Sequence, residues 1–205
     1  MGHLEGDNEM ETKNIMIVGV GGQGTLLASK LLGWVLMEKG YDVKVSEVHG
    51  MSQRGGSVVT YVRYGERVYS PVIDRGEADI IVAFEQLEAA RWLDYLKVGG
   101  RILVNTQKTE PMPVITGSAV YPEDLPEKMR SAGAQVDAWD FLLPARMAGS
   151  AKAVNIALMG RLSTYFPEDW ESVWQEGLEK NVPERFLEMN RKAFEFGKKI
   201  QELDK

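Results

Sequence analysis

The sequence predicts an α/β protein: a Rossmann-like three-layer sandwich with a mainly parallel sheet, a central hairpin and a helical C-terminal extension. Three observations carry this. Short apolar runs of buried-strand type alternate with stretches of helical period, as in a parallel sheet covered on both faces. The first apolar run ends in a glycine cluster, "GVGGQG" at residues 19–24, which opens a helical pattern. The last stretch of the chain reads entirely as helix.

Residues 14–18 form a continuous apolar run stopped by glycine, a buried strand. Residues 23–39 follow as a helix, with Leu27, Leu31, Leu32 and Val35 at three- and four-residue spacing and Gly40 as its stop. Residues 42–48 alternate around Val43 and Val45 as a second strand. "HGMSQRGG" fits no period and holds three glycines, so it is a loop. Residues 57–64 are rich in Val, Thr and Tyr and suit a strand, and "YGERVYS" reads as a hairpin turn into a short returning strand.

Further along, residues 79–84 read as a strand, 87–96 as a helix ended by "KVGG", and 101–105 as a strand. The Pro-rich piece 110–113 opens a strand around Val114 and Ile115. Residues 122–133 read as helix and 134–138 as strand. Residues 151–166 form a helix with Ala153, Ile156, Ala157, Gly160 and Leu162 available for close packing. Helices over 167–178 and 183–203 complete the chain. Trp170 and Trp174 make one packing stripe; Phe186, Met189, Ala193, Phe196 and Ile200 make another, for the core or a subunit interface. By organisation, residues 1–12 are a tail, flexible or appended, 13–166 the main unit, and 167–205 its helical extension.

Composition narrows the function. The 205 residues are 44% hydrophobic and 26% charged, which describes a soluble globular protein. A net charge of −6 argues against nucleic acid as a partner. No apolar run approaches the roughly 18 residues of a membrane span, and the N-terminus has no secretory pattern, so a cytoplasmic location is expected. The absence of cysteine excludes disulfides, cysteine-ligated iron–sulfur clusters and a cysteine nucleophile. His3 and His49 are the only histidines, which excludes a His-rich zinc site, and a Ser–His–Asp triad unless His49 serves it. No metal site is expected.

Gly19, Gly21 and Gly24 satisfy G-x-G-x-x-G directly after a strand and before a helix, with Gly22 and Gln23 inside the turn. Such a turn lets backbone approach a phosphate at a helix N-terminus. It also serves simply as a tight strand–helix joint. Glu47 stands near the place, about 20 residues on, where an acidic residue holds a ribose hydroxyl. It runs, however, into "SEVHGMSQRGGSV", a loop dense in polar groups. Arg54 is its one strong cation, flanked by Ser52, Gln53, Gly55 and Gly56. Following the second strand, this loop belongs beside the glycine turn, at the edge where open α/β sheets place their sites.

"GVGGQG" together with "EVHGMSQRGG" resembles the gamma subunit, or gamma domain, of thiamine-diphosphate-dependent 2-oxoacid:ferredoxin oxidoreductases. Within that family the chain looks most like the beta subunit of indolepyruvate ferredoxin oxidoreductases. "ADIIVAFEQLEAAR", "GGRILVNT" and "AGSAKAVNIALMG" agree, and the resemblance runs over about residues 13–166. It implies a part in oxidative decarboxylation of a 2-oxoacid to an acyl-coenzyme A, with electrons passing to ferredoxin through the complex. Thiamine diphosphate and iron–sulfur clusters then belong to a large alpha subunit. This chain alone binds no cofactor and is inactive alone, and coenzyme A is a co-substrate that the gamma unit helps to hold. A homodimer of the isolated chain is possible on this reading.

Several residues keep two readings. Gln23 contacts a ligand or partner, or caps the helix. His49 carries a proton or is a hydrogen-bonded structural residue. Lys152 and Asn155, after "AGS", hold phosphate, or the helix start is merely capped by Ser150. Arg54 anchors its loop to a coenzyme A phosphate or to a carboxylate of the partner subunit. The rival functions are a freestanding NAD(P)-dependent dehydrogenase or nucleotide-binding regulator, favoured by Glu47, and an interaction scaffold whose glycine turn binds nothing.

Overall fold

The computed structural model describes residues 11–49 and 56–203. β1, Lys13–Val20, is apolar on both faces. Ile15 and Ile17 point into one layer and Met16 and Val18 into the other, all fully buried. That two-sided burial is why the run is continuous and not alternating. The chain then turns into α1, Thr25–Glu38. β2, Asp42–His49, is followed by β3, Ser57–Gly65. β4, Ala78–Ala83, leads to α2, Gln86–Arg91, and then to β5, Leu96–Asn105. Two short helices, α3 at Met112–Ile115 and α4 at Leu125–Ser131, precede β6, Gln135–Trp139. The rest is helical: α5, Leu142–Ala148; α6, Val154–Ser163; α7, Glu171–Asn181; α8, Glu184–Lys198; α9, Ile200–Leu203.

The six strands lie in the order β2-β3-β1-β4-β5-β6. β1, β4, β5 and β6 are parallel, and β3 runs antiparallel to both β1 and β2. α1, α6, α7 and α8 cover one face around Leu31, Ile156, Trp174 and Phe194; α2 and α4 cover the other around Ala89 and Met129. No helix among the described residues is long and apolar enough to cross a membrane.

The sequence expectations need correction at several points. The hairpin is formed by β2 and β3, not by β3 and a returning strand, and it lies at one edge of the sheet. Too few residues separate these strands for a crossover helix, so they must pair antiparallel. "YGERVYS" leads to no returning strand. The Arg63 guanidinium holds that segment instead, donating to the carbonyls of Ser70 at 3.1 Å and Val72 at 2.8 Å. Val114 and Ile115 lie in α3, not in a strand. Pro113 sits in its first turn, where a missing N–H costs little, and its carbonyl accepts the N–H groups of Ser118 and Ala119. α5 is an element the sequence reading missed; Pro144 obscured it but occupies its first turn. Of the expected stripe, Ala193 and Ile200 are buried and Met189 and Phe196 pack against the core, while Phe186 stays 43% exposed; Asn190, Phe194 and Gly197 are buried beside them. The Trp170 and Trp174 pair is buried as expected.

Candidate functional site

The carboxyl ends of β1, β4 and β5 open onto a cleft of about 520 Å³. Gly22, Gln23, Gly24, Phe84, Asn105, Gln107, Lys152 and Asn155 are among its lining residues. Open α/β sheets bind ligands at this edge because neighbouring strands there send their connections to different sides.

The glycine turn is built for close approach. A Cβ on Gly19 would lie 2.8 Å from Gln23 Oε1 and 3.0 Å from Phe84 Cβ. Gly22 and Gly24 both adopt left-handed backbone, with φ of 99° and 86°. Gln23 closes the turn on itself: its Oε1 accepts the Val20 N–H at 2.7 Å, and its own N–H donates to the Val20 carbonyl at 3.2 Å. Gly24 is the N-cap of α1 and offers no side-chain cap, and no acidic residue stands in the first turn. The helix therefore keeps unsatisfied N–H groups and uncompensated positive potential at the cleft.

The opposite wall comes from α6 and the short turn before it. Ser150 Oγ accepts the Lys152 N–H at 3.2 Å, so the capping reading holds for Ser150. The same cap leaves the Lys152 side chain on the cleft. Asn155 is buried; its Oδ1 accepts the Ile156 N–H at 2.9 Å and its Nδ2 donates to the Gly24 carbonyl at 3.4 Å. This bond ties α6 to the start of α1.

Hydrogen-bond partners decide the polarity of the cleft. Gln23 spends its carbonyl end on a backbone N–H, which leaves its NH₂ end uncommitted. Asn155 likewise spends its carbonyl end on Ile156. Gln107 Oε1 accepts from Asn105 Nδ2 at 3.0 Å, so its NH₂ end is uncommitted too. Among the described residues the Lys152 ammonium has no carboxylate partner. The uncommitted ends of these side chains are therefore all donors. Such a lining suits a ligand made of acceptors, an anion above all.

Two buried carboxylates at the start of α2, its N-cap Glu85 and Glu88 in its first turn, hold the cleft's surroundings. Glu85 Oε1 accepts the Thr109 N–H at 3.1 Å and the Tyr121 hydroxyl, and its Oε2 accepts the Glu88 N–H at 3.0 Å. Burial, and then the bond to Glu85, pushes the Tyr121 hydroxyl above its ordinary range. Glu88 accepts the Ser57 hydroxyl at 2.5 Å and pairs with Arg91 at 3.3 Å. Burial pushes the Glu88 carboxyl above the ordinary range against the pull of those two partners.

Of the residues singled out in the sequence, Gly22, Gln23, Gly24, Lys152 and Asn155 meet in this cleft. Gly19 and Gly21 shape the turn beside it, and the Gly21 N–H donates to the Gly56 carbonyl at 2.9 Å. That bond links the first glycine turn to the end of the second loop. Ser52, Gln53, Arg54 and Gly55 lie outside the described residues, as does the His49 side chain. Glu47 stands on β2, opposite Thr60 of β3 and two strands away from β1. Sequence reasoning missed Phe84, Asn105 and Gln107. The usable signal was the abrupt change from apolar to polar where "ILV" meets "NTQ".

Comparison with known proteins agrees with this architecture. The profile of the family described as pyruvate ferredoxin/flavodoxin oxidoreductase matches residues 14–200. The indolepyruvate oxidoreductase subunit IorB of Thermococcus kodakarensis is 43% identical over 195 residues, covering 93% of this chain and 96% of the relative. Among solved structures, the gamma subunit of a keto/oxoacid ferredoxin oxidoreductase from Geobacter sulfurreducens superposes with a TM-score of 0.65 at 23% identity, covering 90% of this chain and 95% of that one. A 2-oxoglutarate:ferredoxin oxidoreductase from Magnetococcus marinus, solved with 2-oxoglutarate, coenzyme A and succinyl-CoA bound, gives a TM-score of 0.73 at 19% identity. There the match covers 96% of this chain but 32% of the other, so the fold recurs within a longer polypeptide. With most of its length matched by the family profile, the chain belongs to the pyruvate ferredoxin/flavodoxin oxidoreductase family.

Proposed function

We propose that this chain is the small subunit of an indolepyruvate-type 2-oxoacid:ferredoxin oxidoreductase, and that its cleft holds the phosphates of coenzyme A. The reaction takes a 2-oxoacid, coenzyme A and two oxidised ferredoxins to an acyl-coenzyme A, carbon dioxide, a proton and two reduced ferredoxins. With no cysteine in the sequence, the chain does not fit an iron–sulfur cluster. Those clusters and thiamine diphosphate are assigned to a large partner subunit, which also passes electrons to ferredoxin. This chain's task is to bind and orient the thiol-bearing co-substrate.

The observation that supports the reading is a cleft whose uncommitted side-chain ends are donors, at an uncapped helix N-terminus. Coenzyme A carries a pyrophosphate, which is all acceptor at neutral pH and complements Lys152, the amide ends of Gln23, Gln107 and Asn155, and the first N–H groups of α1. The second loop, with Ser52, Gln53, Arg54, Gly55 and Gly56, is proposed to contribute to the same ligand. A hydride-transferring enzyme of dinucleotide type fits less well. It would require Glu47 at the strand next to β1, and β3 occupies that place.

Reconstitution with the large subunit tests the reading. Lys152→Ala is expected to raise the KM for coenzyme A about tenfold, or roughly 1.4 kcal/mol, with kcat little changed. Unchanged coenzyme A kinetics in a folded, assembled Lys152→Ala complex would remove the cleft from the reaction. Failure of the chain to assemble with any thiamine-binding partner would remove the subunit assignment.

A further inference from the structure

We infer that Asn105 is a positioning residue that sets the polarity of the cleft without offering the ligand a free group of its own. The inference rests on the anion reading above and deepens it.

Asn105 ends β5 and is fully buried, although it lies on the cleft wall. Its Oδ1 accepts the Phe141 N–H at 3.1 Å. Its Nδ2 donates to the Phe84 carbonyl at 3.3 Å and to Gln107 Oε1 at 3.0 Å. A backbone N–H can only donate and a backbone carbonyl can only accept, so these two partners leave one orientation for the Asn105 amide. Both of its N–H groups are then engaged. Gln107 consequently meets a donor and must turn its carbonyl end towards Asn105. The reverse orientation would set NH₂ against NH₂ in a buried corner, with an unmet donor on each side.

The main chain around Gln107 is tethered as well. Its carbonyl accepts the Gln86 N–H at 3.5 Å, Gln86 Nε2 donates to the Thr106 carbonyl, and Glu85 accepts the Thr109 N–H. The relay therefore runs from the backbone of Phe84 and Phe141, through Asn105, to a Gln107 NH₂ group fixed as a donor. Gln107 unconstrained could serve as acceptor or donor. Held by Asn105 it is a donor only, which favours a phosphate oxygen and disfavours a ligand N–H or ammonium.

The test is calorimetry on the full chain with inorganic pyrophosphate and with coenzyme A, across wild type, Gln107→Met, Asn105→Ala and the double variant. Gln107→Met is expected to weaken both ligands about tenfold. Asn105→Ala alone should weaken them several-fold, because Gln107 is then free to present its carbonyl. In the Gln107→Met background, Asn105→Ala should cause no further loss. Such non-additivity is the mark of one residue acting through another. Additive losses, or unchanged affinity in Asn105→Ala, would overturn the inference while leaving the anion site intact. Wild-type protein that binds neither ligand would overturn the anion reading and this inference together. If Asn105→Ala does not fold, side-chain amide exchange in the wild type decides. Slow exchange at Asn105 and fast exchange at Gln107 supports the relay, and the opposite order refutes it.

Discussion

Gly22 and Gly24 offer a matched pair in which backbone strain and side-chain crowding can be separated. Both have left-handed backbone, so alanine at either should cost roughly 1–2 kcal/mol from conformation alone. Their surroundings differ. A Cβ on Gly22 meets nothing within 4 Å, whereas one on Gly24 would lie 2.5 Å from Asn155 Nδ2. Asn155 cannot step aside cheaply, because it is buried and bonded to Ile156 and Gly24. Moving it leaves buried polar groups unmet, at about 2 kcal/mol. Gly22→Ala should therefore lose about 1.5 kcal/mol and Gly24→Ala about 3.5 kcal/mol. For a chain of this size those losses translate to falls in Tm of roughly 3–6 °C and 7–14 °C. Thermal and urea unfolding measure both. The control is Gly24→Ala on an Asn155→Ala background, where its added cost should drop to the Gly22 value. Equal losses at Gly22 and Gly24, or no relief in the double variant, would show that the Asn155 contact is not what demands glycine at this position.

Four shorter predictions follow from other parts of the molecule. A Cβ on Gly160 would lie 2.0 Å from the Phe194 carbonyl oxygen and one on Gly197 1.9 Å from that of Ala157. These are backbone contacts, so either Gly→Ala change should pry α6 from α8 and cost about 3 kcal/mol or more in urea titration, and a loss under 1 kcal/mol would contradict the close crossing. Glu88 has a folded pKa above its unfolded value, so its contribution is full below about pH 4.3 and is lost as pH rises through the folded pKa. Glu88→Gln should flatten that limb of a stability-versus-pH curve. At Asp137, burial alone would push the carboxyl up, but bonds from Arg161, Tyr165 and Trp139 hold it below the ordinary range. Its contribution is present above about pH 3.9 and lost as pH falls through the folded pKa; Asp137→Asn should cost about 2–3 kcal/mol at neutral pH and blunt acid unfolding. Finally, NADH should show no saturable calorimetric binding in the low micromolar range, about −8 kcal/mol, and clear saturation abolished by Glu47→Ala would favour the dehydrogenase reading.

The parts of the fold legible in the sequence are those set by local pattern. The run from Ile15 to Val18 is buried on both faces, and the glycines that stop it form the turn into α1. Lys152 and Asn155 reach the cleft because a Ser-capped start at the sheet's carboxyl edge has few other places to point. What stayed illegible depends on long-range pairing. No local signal says that Phe84, Asn105 and Phe141 meet, since 21 and 36 residues separate the bonded partners. Segment 110–120 misled for a different reason. Pro111 and Pro113 read as extended chain, yet in the first turn of a helix the same ring geometry is an advantage.

The strand order explains how a dinucleotide-type fingerprint can stand in a chain proposed to bind a different ligand. The fingerprint has two halves. The glycine turn and the helix N-terminus address a pyrophosphate; an acidic residue at the end of the neighbouring strand addresses a ribose. In this fold β2 leads into β3, and β3 takes the position next to β1. Strands are spaced about 4.8 Å apart, so β2 and Glu47 are moved to roughly 9.6 Å from β1. The anion half of the fingerprint survives that insertion because it is local to β1 and α1. The ribose half does not, because it depends on which strand pairs with β1. What replaces it at the cleft is the amide wall from β5 and α6, which on the proposed reading meets acceptor oxygens and, among the described lining residues, carries no carboxylate suited to a diol. On the proposed reading, a single topological change separates phosphate recognition from dinucleotide recognition while leaving the motif "GVGGQG" intact.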